Sequence, residues 1–152
     1  MKIELIPVTD ENREVVLQLT TREDQPFCAS NARSLEQAAE CEAEDPGLAR
    51  PFAIYADGKP VGFCMFAFDP EAEDEEDRYW LWRFMIDQHE QGKGYGQAAL
   101  AEIIAYFRNH GANHLYLSTE PENECGMHIY HKAGFQDTGI IDDGEAVLKL
   151  LF

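Results

Sequence analysis

One segment, residues 80–107, constrains the fold more than any other part of the chain. Its first part, residues 80–86, is a nearly continuous apolar run rich in aromatic residues, which predicts a strand covered on both faces. A loop with three alternating glycines follows. The last part carries apolar residues at the period of a helix: Leu100, Ile103, Ile104 and Phe107. The chain is therefore organised around a strand, a glycine loop and a helix in direct succession.

The glycines of this loop, Gly92, Gly94 and Gly96, favour a binding role for its backbone. Alternating glycines let backbone N–H groups turn toward one point at a helix N-terminus, which is a site that binds phosphate, and Lys93 adds a positive charge. A Walker loop is excluded because Gly94, and not Ser or Thr, follows Lys93. The dinucleotide fingerprint is excluded because its glycine spacing differs and because it follows its strand directly. An ordinary flexible connection remains as the alternative.

Length and composition predict one globular domain over residues 1–152, since 45% of the residues are apolar. No apolar run approaches the length of a membrane span, and the N-terminus lacks the basic and apolar regions of a signal peptide. We therefore expect a soluble, cytoplasmic protein without a membrane partner.

The formal net charge of −17 bears on the choice of partner. Nucleic acid is disfavoured because phosphate binding requires clustered Lys and Arg. A cationic substrate is favoured because an acidic surface attracts it, although solubility alone would also explain the charge. Residues 69–77 hold seven carboxylates in nine positions, which predicts a solvated loop. Its functional interpretation is a collar of negative charge near a cationic substrate.

No metal site is predicted. The four cysteines lack the short spacing of metal ligands and are expected to be reduced thiols: Cys28, Cys41, Cys64 and Cys125. His128 and His131 share a helical face, but a metal ion would need further ligands nearby.

Periodicity and turn residues predict the other elements. Thr9 or Asp10 is the predicted cap of a first helix that runs to about Thr20, and Ser34 is the predicted cap of a second helix. Asp57-Gly58 predicts a hairpin turn. Further strands are predicted at residues 3–8, 52–56, 61–68, 114–118, 135–141 and 145–151, and a last helix at residues 123–133.

Two motifs resemble the GNAT superfamily of N-acetyltransferases. The loop Gln91-Gly92-Lys93-Gly94-Tyr95-Gly96 is similar to the family's Gln/Arg-x-x-Gly-x-Gly/Ala loop. The second motif, Asn123-x-x-Gly126-x-x-x-Tyr130-x-Lys132-x-Gly134-Phe135, is similar to a family helix that usually has Ala where this chain has Gly126. The resemblance implies an α/β GNAT fold in the order β-α-α-β-β-β-α-β-α-β-β. Its sheet would be mixed and mostly antiparallel, with six to seven strands flanked by about four helices.

A narrower resemblance concerns bacterial spermidine/spermine N-acetyltransferases. The segment Gln25-x-Phe27-x-x-x-Asn31-x-x-Ser34-Leu35-x-x-Ala38 is similar to the residues that surround the start of their second helix. The strand Trp80-Leu-x-Arg83-Phe84-x-Ile86-Asp87 resembles the same group. The resemblance implies that the acceptor is a polyamine.

The GNAT resemblance implies acetyl-CoA as cosubstrate. In that family the glycine loop holds the pyrophosphate, and the central strand parts from its neighbour to admit the cofactor. The pantetheine arm then lies along this strand like an added strand, and one strand N–H polarises the thioester carbonyl. Core packing is the alternative role for the strand residues. The resemblance assigns to acetyl-CoA the residues Phe84, Met85, Ile86, Gln91, Gly92, Lys93, Gly94, Tyr95, Gly96, Asn123, Tyr130 and Lys132.

Two residues are expected to take part in the chemistry. Tyr130 matches the family's tyrosine that hydrogen-bonds the cofactor sulfur and protonates the departing thiolate. Glu120 is the candidate general base because it directly follows a predicted strand. A surface acid in a Glu-Pro-Glu-Asn turn is the alternative for Glu120, and an acid from residues 69–77 or bulk water would serve as the base instead.

We therefore expect an enzyme that transfers acetyl directly from acetyl-CoA to a primary amine of a small cationic acceptor, such as spermidine or spermine. One alternative is a transferase that acts on a protein N-terminus, a lysine or an antibiotic. Another is an acyl-CoA-binding module without catalysis. A homodimer is compatible with the sequence, which does not report the quaternary state.

Overall fold

The structure is a computed structural model that describes residues 1–22 and 28–152. These residues form seven strands and four α-helices, with short 3-10 turns at Glu75–Asp77 and Gln88–Glu90. In chain order the elements are β1 (Ile3–Pro7), α1 (Arg13–Gln18), α2 (Asn31–Glu44), β2 (Ala49–Ala56), β3 (Lys59–Phe68), β4 (Tyr79–Ile86), α3 (Tyr95–Asn109), β5 (His114–Thr119), α4 (Glu124–Lys132), β6 (Gln136–Asp142) and β7 (Glu145–Leu151).

The strands form one mixed sheet in the order β1-β2-β3-β4-β5-β7-β6. Every neighbouring pair is antiparallel except β4 and β5, which run parallel. This confirms the expected fold class, including the predominantly antiparallel sheet and the four flanking helices. Within the described ranges, no helix is long and apolar enough to cross a membrane.

The pairing between β4 and β5 is short. Only Trp80 with Tyr116 and Leu81 with Leu117 are in register, although both strands continue beyond these pairs. On its other side β4 stays paired with β3 as far as Ile86, with a register shift between Met65 and Phe66. The second half of β4 therefore has a β-strand neighbour on one side only.

The sheet is covered on both faces, as the apolar run of β4 predicts. Leu81 packs into the core beneath α3, whereas Met85 packs into the core beneath α1 and α2. The predicted stripe of α3 is buried at Leu100, Ile103 and Phe107 and half-buried at Ile104. Full burial of one such side chain contributes roughly 1.5–3 kcal/mol.

The turn predictions are confirmed, but two cap predictions are wrong. Asp57 and Gly58 both have positive φ, at 50° and 83°, as a tight hairpin of two central residues requires. The first helix starts only at Arg13, because Asn12 Oδ1 accepts from the Thr9 N–H at 2.8 Å and holds the preceding residues in a turn. The second helix is capped by a different serine from the predicted one.

Ser30, and not Ser34, caps α2. The Ser30 hydroxyl accepts from the Arg33 N–H at 3.1 Å, which satisfies one of the free amides of the first turn. Ser34 lies one turn inside the helix and is buried. The N-cap of α2 therefore lies four residues earlier than predicted.

Candidate active site

A cavity of about 790 Å³ opens where β4 and β5 part. Its walls come from residues 81–86 of β4, residues 117–119 of β5, the loop after β4, the first turn of α3 and one face of α4. Thr21, Cys28 and Ala29, which precede α2, close another side. The volume is in the range of small-molecule and cofactor sites.

The backbone edge of β4 faces this cavity at alternate residues. The Asp87 N–H donates to the Val61 carbonyl at 2.8 Å, so Asp87 points its backbone groups toward β3. By the alternation of an antiparallel ladder, Ile86 and Phe84 point theirs away from β3 and into the opening. The Ile86 carbonyl accepts from Gln91 Nε2 at 3.1 Å. Burial raises the pKa of the Cys28 thiol, and the nearby Phe84 N–H lowers it by a smaller amount. Phe84 thus offers a backbone donor at the floor of the cavity.

The glycine loop is shaped for backbone binding. Gly92 and Gly94 have φ of +78° and +85°, and Gly94 is the N-cap of α3. A Cβ at residue 92 would have no other atom within 4 Å among the described residues, so the loop backbone is accessible there. The first-turn amides at Tyr95 and Gly96 have no acceptor within the helix, which makes this end a site for an anion. A Cβ at Gly96 would lie 3.2 Å from Ile129 Cδ1, so this glycine also allows α3 to approach α4.

A buried carboxylate that the sequence analysis missed supports the loop. Glu90 lines the cavity, and its side chain is 8% exposed. It pairs with Lys59 of the β2–β3 hairpin and with Lys93 at 3.0 Å. Hydrogen bonds from these two ammonium groups lower the pKa of Glu90, and the bond to Glu90 raises the pKa of Lys59. The Lys93 ammonium is held by Glu90, and Lys93 is not part of the wall that the described residues form.

Asn123 fixes the start of α4 beside the end of β5. Its Oδ1 accepts from the Gly126 N–H at 3.1 Å, and its Nδ2 donates to Thr119 Oγ1 at 3.0 Å. A Cβ at residue 126 would collide with the Asn123 side chain. The glycine that departs from the family motif therefore makes room for this cap.

Tyr130, about two helical turns after Asn123, lines the cavity next to β4. Its ring centroid lies 6.5 Å from that of Phe84 and 6.0 Å from that of Phe135. Burial, with a smaller contribution from nearby Cys28, raises the pKa of Tyr130 above its usual value. The phenol is therefore protonated at neutral pH. Lys132, on the same helix, is exposed and does not line the cavity that the described residues form.

Two further carboxylates line the cavity at the ends of β5 and β7. Glu120 is exposed and precedes the turn into α4, as its position predicted. Glu145, which the sequence analysis did not single out, is half-buried, and the Ser118 hydroxyl donates to its Oε1 at 3.3 Å. In the ranges 1–22 and 28–152, no group of three or more His, Cys, Asp or Glu side chains is arranged to hold a metal ion.

Comparison with known proteins identifies the family. The acetyltransferase (GNAT) family matches residues 15–135. The chain belongs to this family. A probable spermine N(1)-acetyltransferase of Bacillus subtilis subsp. natto (strain BEST195) is 35% identical over 153 residues, covering 97% of each chain. The spermine/spermidine N(1)-acetyltransferase of Bacillus subtilis (strain 168) is 34% identical with the same coverage.

A solved structure shows the same fold at lower identity. Spermidine N-acetyltransferase from Vibrio cholerae, in complex with CoA and spermine, has a TM-score of 0.73 and 17% identity, and the match covers 98% of this chain and 95% of that chain. The protein described here is thus a GNAT N-acetyltransferase, and the splayed strands and the glycine loop lie where the resemblance implied.

The acidic loop of this GNAT enzyme does not line the cavity, which favours its interpretation as a solvated loop over that of a collar near the substrate. The Glu75 carbonyl lies 3.0 Å from His114 Nε2, at the first residue of β5, and the Trp80 indole donates to the Glu76 carbonyl near the start of β4. The cavity begins at Leu81 of β4 and Leu117 of β5, and none of residues 69–77 lines it. Burial lowers the pKa of His114, so this anchor is a neutral imidazole at pH 7.

Two residues of the narrower motif tie the chain at the ends of α1 and α2 to neighbouring elements. Asn31 Nδ2 donates to the Val16 carbonyl at 2.9 Å, which ties α2 to the end of α1. Asp87 accepts from the Thr20 N–H at 2.8 Å, which ties the chain after α1 to the end of β4. Gln25 and Phe27 of the same motif lie outside the described residues.

Proposed function

We propose that this GNAT enzyme transfers the acetyl group of acetyl-CoA directly to a primary amine of a polyamine such as spermidine or spermine. The observation that carries the reaction class is the opening between β4 and β5, with the Phe84 N–H on one wall and Tyr130 on another. The polyamine acceptor is supported by identity of 35% and 34%, over 97% of the chain, to relatives named for spermine or spermidine.

The residues around the cavity fit acetyl-CoA. The loop that contains Gln91, Gly92 and Gly94 would bind the pyrophosphate through backbone amides, helped by the amides of Tyr95 and Gly96. The free edge of β4 at Phe84 and Ile86 would bind the pantetheine amides as an added strand would. Met85 points its backbone groups toward β3 and its side chain into the core, so it would support the strand edge without bonding the cosubstrate itself, and Asn123 orders the start of α4. Lys93 would add positive charge near the loop, and Lys132 would add positive charge at the rim of the cavity.

The reaction needs three tasks from the chain. Acetyl-CoA supplies the activated acyl group, and the neutral amine nitrogen forms the new C–N bond as the C–S bond breaks. The Phe84 N–H would stabilise the negative charge that develops on the carbonyl oxygen. Tyr130 would donate its proton, or a hydrogen bond, to the leaving sulfur. The proton of the amine would pass to water or to Glu120.

A covalent intermediate on Cys28 is disfavoured. Burial raises the pKa of the Cys28 thiol, against the lowering effect of the Phe84 N–H, so the reactive thiolate is scarce at neutral pH. The amine would therefore attack the thioester directly, in a complex that contains both substrates.

The test is a substrate panel that follows release of the CoA thiol. We expect spermidine and spermine to be acetylated with a higher kcat/KM than glycine or a monoamine of equal length. Equal rates for all amines would refute the polyamine acceptor. An absence of thiol release with every amine, from protein shown to bind acetyl-CoA by calorimetry, would refute the reaction.

A further inference from the structure

The cavity has three carboxylates among the described residues, and they differ in what they already contact. Glu90 is saturated by Lys59 and Lys93. Glu120 is exposed in a turn. Glu145 is half-buried and accepts a hydrogen bond from the neutral hydroxyl of Ser118. Among residues 1–22 and 28–152, no ion pair includes Glu145.

Strand pairing brings Glu145 to the reacting end of the cavity. It is the first residue of β7, and the pairing of Thr119 with Ala146 sets it beside the end of β5, where β4 has already separated. Glu145, Phe84 and Cys28 line the same cavity. Glu145 therefore lies near the backbone donor that is proposed to polarise the thioester.

We propose that Glu145, positioned by Ser118, binds the charged ammonium group of the acceptor that neighbours the reacting nitrogen. This inference rests on the proposed polyamine acetylation and assigns it a specificity residue. Only the reacting nitrogen of a polyamine has to be neutral; the next one along the chain stays protonated and needs a counter-charge. A carboxylate that is partly removed from water and held by one hydroxyl retains free lone pairs for this ammonium.

A positively charged side chain, Arg83, lies at the same cavity and would oppose a cationic acceptor. Arg83 also lines the cavity, and its guanidinium donates to Gln37 Oε1 at 2.8 Å and to the Trp82 carbonyl at 3.1 Å. These two contacts hold the positive charge beside the acceptor's path. Without Glu145, an incoming dication would meet Arg83 with no opposing charge from this end of β7, so Glu145 is the residue that makes the wall acceptable to a polyamine.

The experiment compares Glu145→Gln with wild type on two acceptors, spermidine and propylamine. The substitution keeps the size of the side chain and its acceptance from Ser118 but removes the charge. A hydrogen bond to a charged group is worth about 1.5–3 kcal/mol, which corresponds to a rise of roughly 10- to 150-fold in KM for spermidine. We expect kcat at saturating spermidine, and kcat/KM for propylamine, to stay within about threefold of wild type.

A matched control and a second variant separate the inference from general damage. Glu122→Gln removes a nearby charge from an exposed side chain outside the cavity wall, and both acceptors should be unaffected. Ser118→Ala releases Glu145 and should raise the spermidine KM by a smaller factor. An equal loss for spermidine and propylamine, or no change for either, would overturn the role of Glu145.

Direct binding distinguishes failure of the inference from failure of the proposed function. Spermine is titrated by calorimetry into wild type and Glu145→Gln, each saturated with CoA. Weaker binding to the variant supports the inference whether or not polyamines prove to be turned over. Equal affinities, or no binding to wild type, refute it. Polyamine turnover that is as efficient in the variant as in wild type would leave the proposed function standing and remove only Glu145.

Discussion

Replacing Tyr130 with Phe removes one hydroxyl from the cavity and leaves the ring in place. The ring contacts with Phe84 and Phe135 are kept, so we expect the free energy of unfolding to change by less than about 1 kcal/mol. A hydrogen bond to a charged group is worth about 1.5–3 kcal/mol. Its loss from the leaving thiolate lowers kcat roughly 10- to 150-fold, and loss of proton donation as well extends the range to about 1,000-fold.

Burial affects the pKa of both the Tyr130 hydroxyl and the leaving thiolate, so the two effects have to be compared. A phenol of ordinary pKa near 10 gives its proton to a thiolate of pKa near 8.5 only at a cost of about 2 kcal/mol. The burial that raises the pKa of Tyr130 would by itself increase this cost. A thiolate that forms in the same cavity loses the same solvation, so its pKa also rises and the difference does not widen.

The assay measures steady-state CoA release with acetyl-CoA and the acceptor varied separately. Tyr116→Phe is the matched control, because Tyr116 is a buried tyrosine on β5 that does not line the cavity; its kcat should stay within about threefold of wild type. A Tyr130→Phe enzyme with unchanged kcat would refute the role as acid. A loss carried entirely by the KM for acetyl-CoA would show that the hydroxyl only binds the cosubstrate.

Three further outcomes follow from the loop, the helix start and the phenol. Gly94→Val should raise the KM for acetyl-CoA at least about tenfold, since φ is +85° where backbone must approach phosphate; Gly111→Val, at φ +89° after α3, should cost similar stability without this effect. Gly126→Ala should lower Tm, although Ala favours helix by about 1 kcal/mol, because its Cβ meets Asn123; a higher Tm contradicts this. The kcat of wild type should not fall as the pH rises to about 10, because burial keeps Tyr130 protonated. A fall of kcat below pH 10 that is seen in wild type and absent from Tyr130→Phe would contradict this.

Local rules predicted the elements whose geometry is set by neighbouring residues. The Asp57-Gly58 turn and the buried stripe of α3 were predicted because each depends on residues close together in sequence. The cap of α2 was predicted at the wrong serine because Ser30 and Ser34 are both of a residue type that caps helices, and residue type alone does not show where the helix begins. The separation of β4 from β5 has no local signal, and only the family resemblance implied it.

The same distinction separates the site residues that were predicted from those that were missed. The glycine loop, Asn123 and Tyr130 belong to compact motifs, so the sequence indicated them. Cys28 and Glu145 reach the cavity through contacts with β4 and β5 that are distant in sequence, and no spacing rule reports such contacts. Glu90 had a weak signal, since an acid three residues before Lys93 can pair with it, but its burial depends on Lys59 of a different hairpin.

The position of the acidic loop determines what its charge can do. Glu75 is anchored at the first residue of β5, and the cavity begins in the second half of that strand. Leu117 is the first residue of β5 that lines the cavity, and three residues at about 3.3 Å each place it roughly 10 Å from His114, slightly more than the screening length of about 8 Å in physiological salt. Salt weakens the field of the loop over that distance, whereas Glu145 lines the cavity itself. Asp74→Asn with Glu76→Gln should therefore leave the KM for spermidine within about twofold of wild type in 0.15 M salt. A rise as large as the one expected for Glu145→Gln would show that the loop, and not the cavity wall, selects the acceptor.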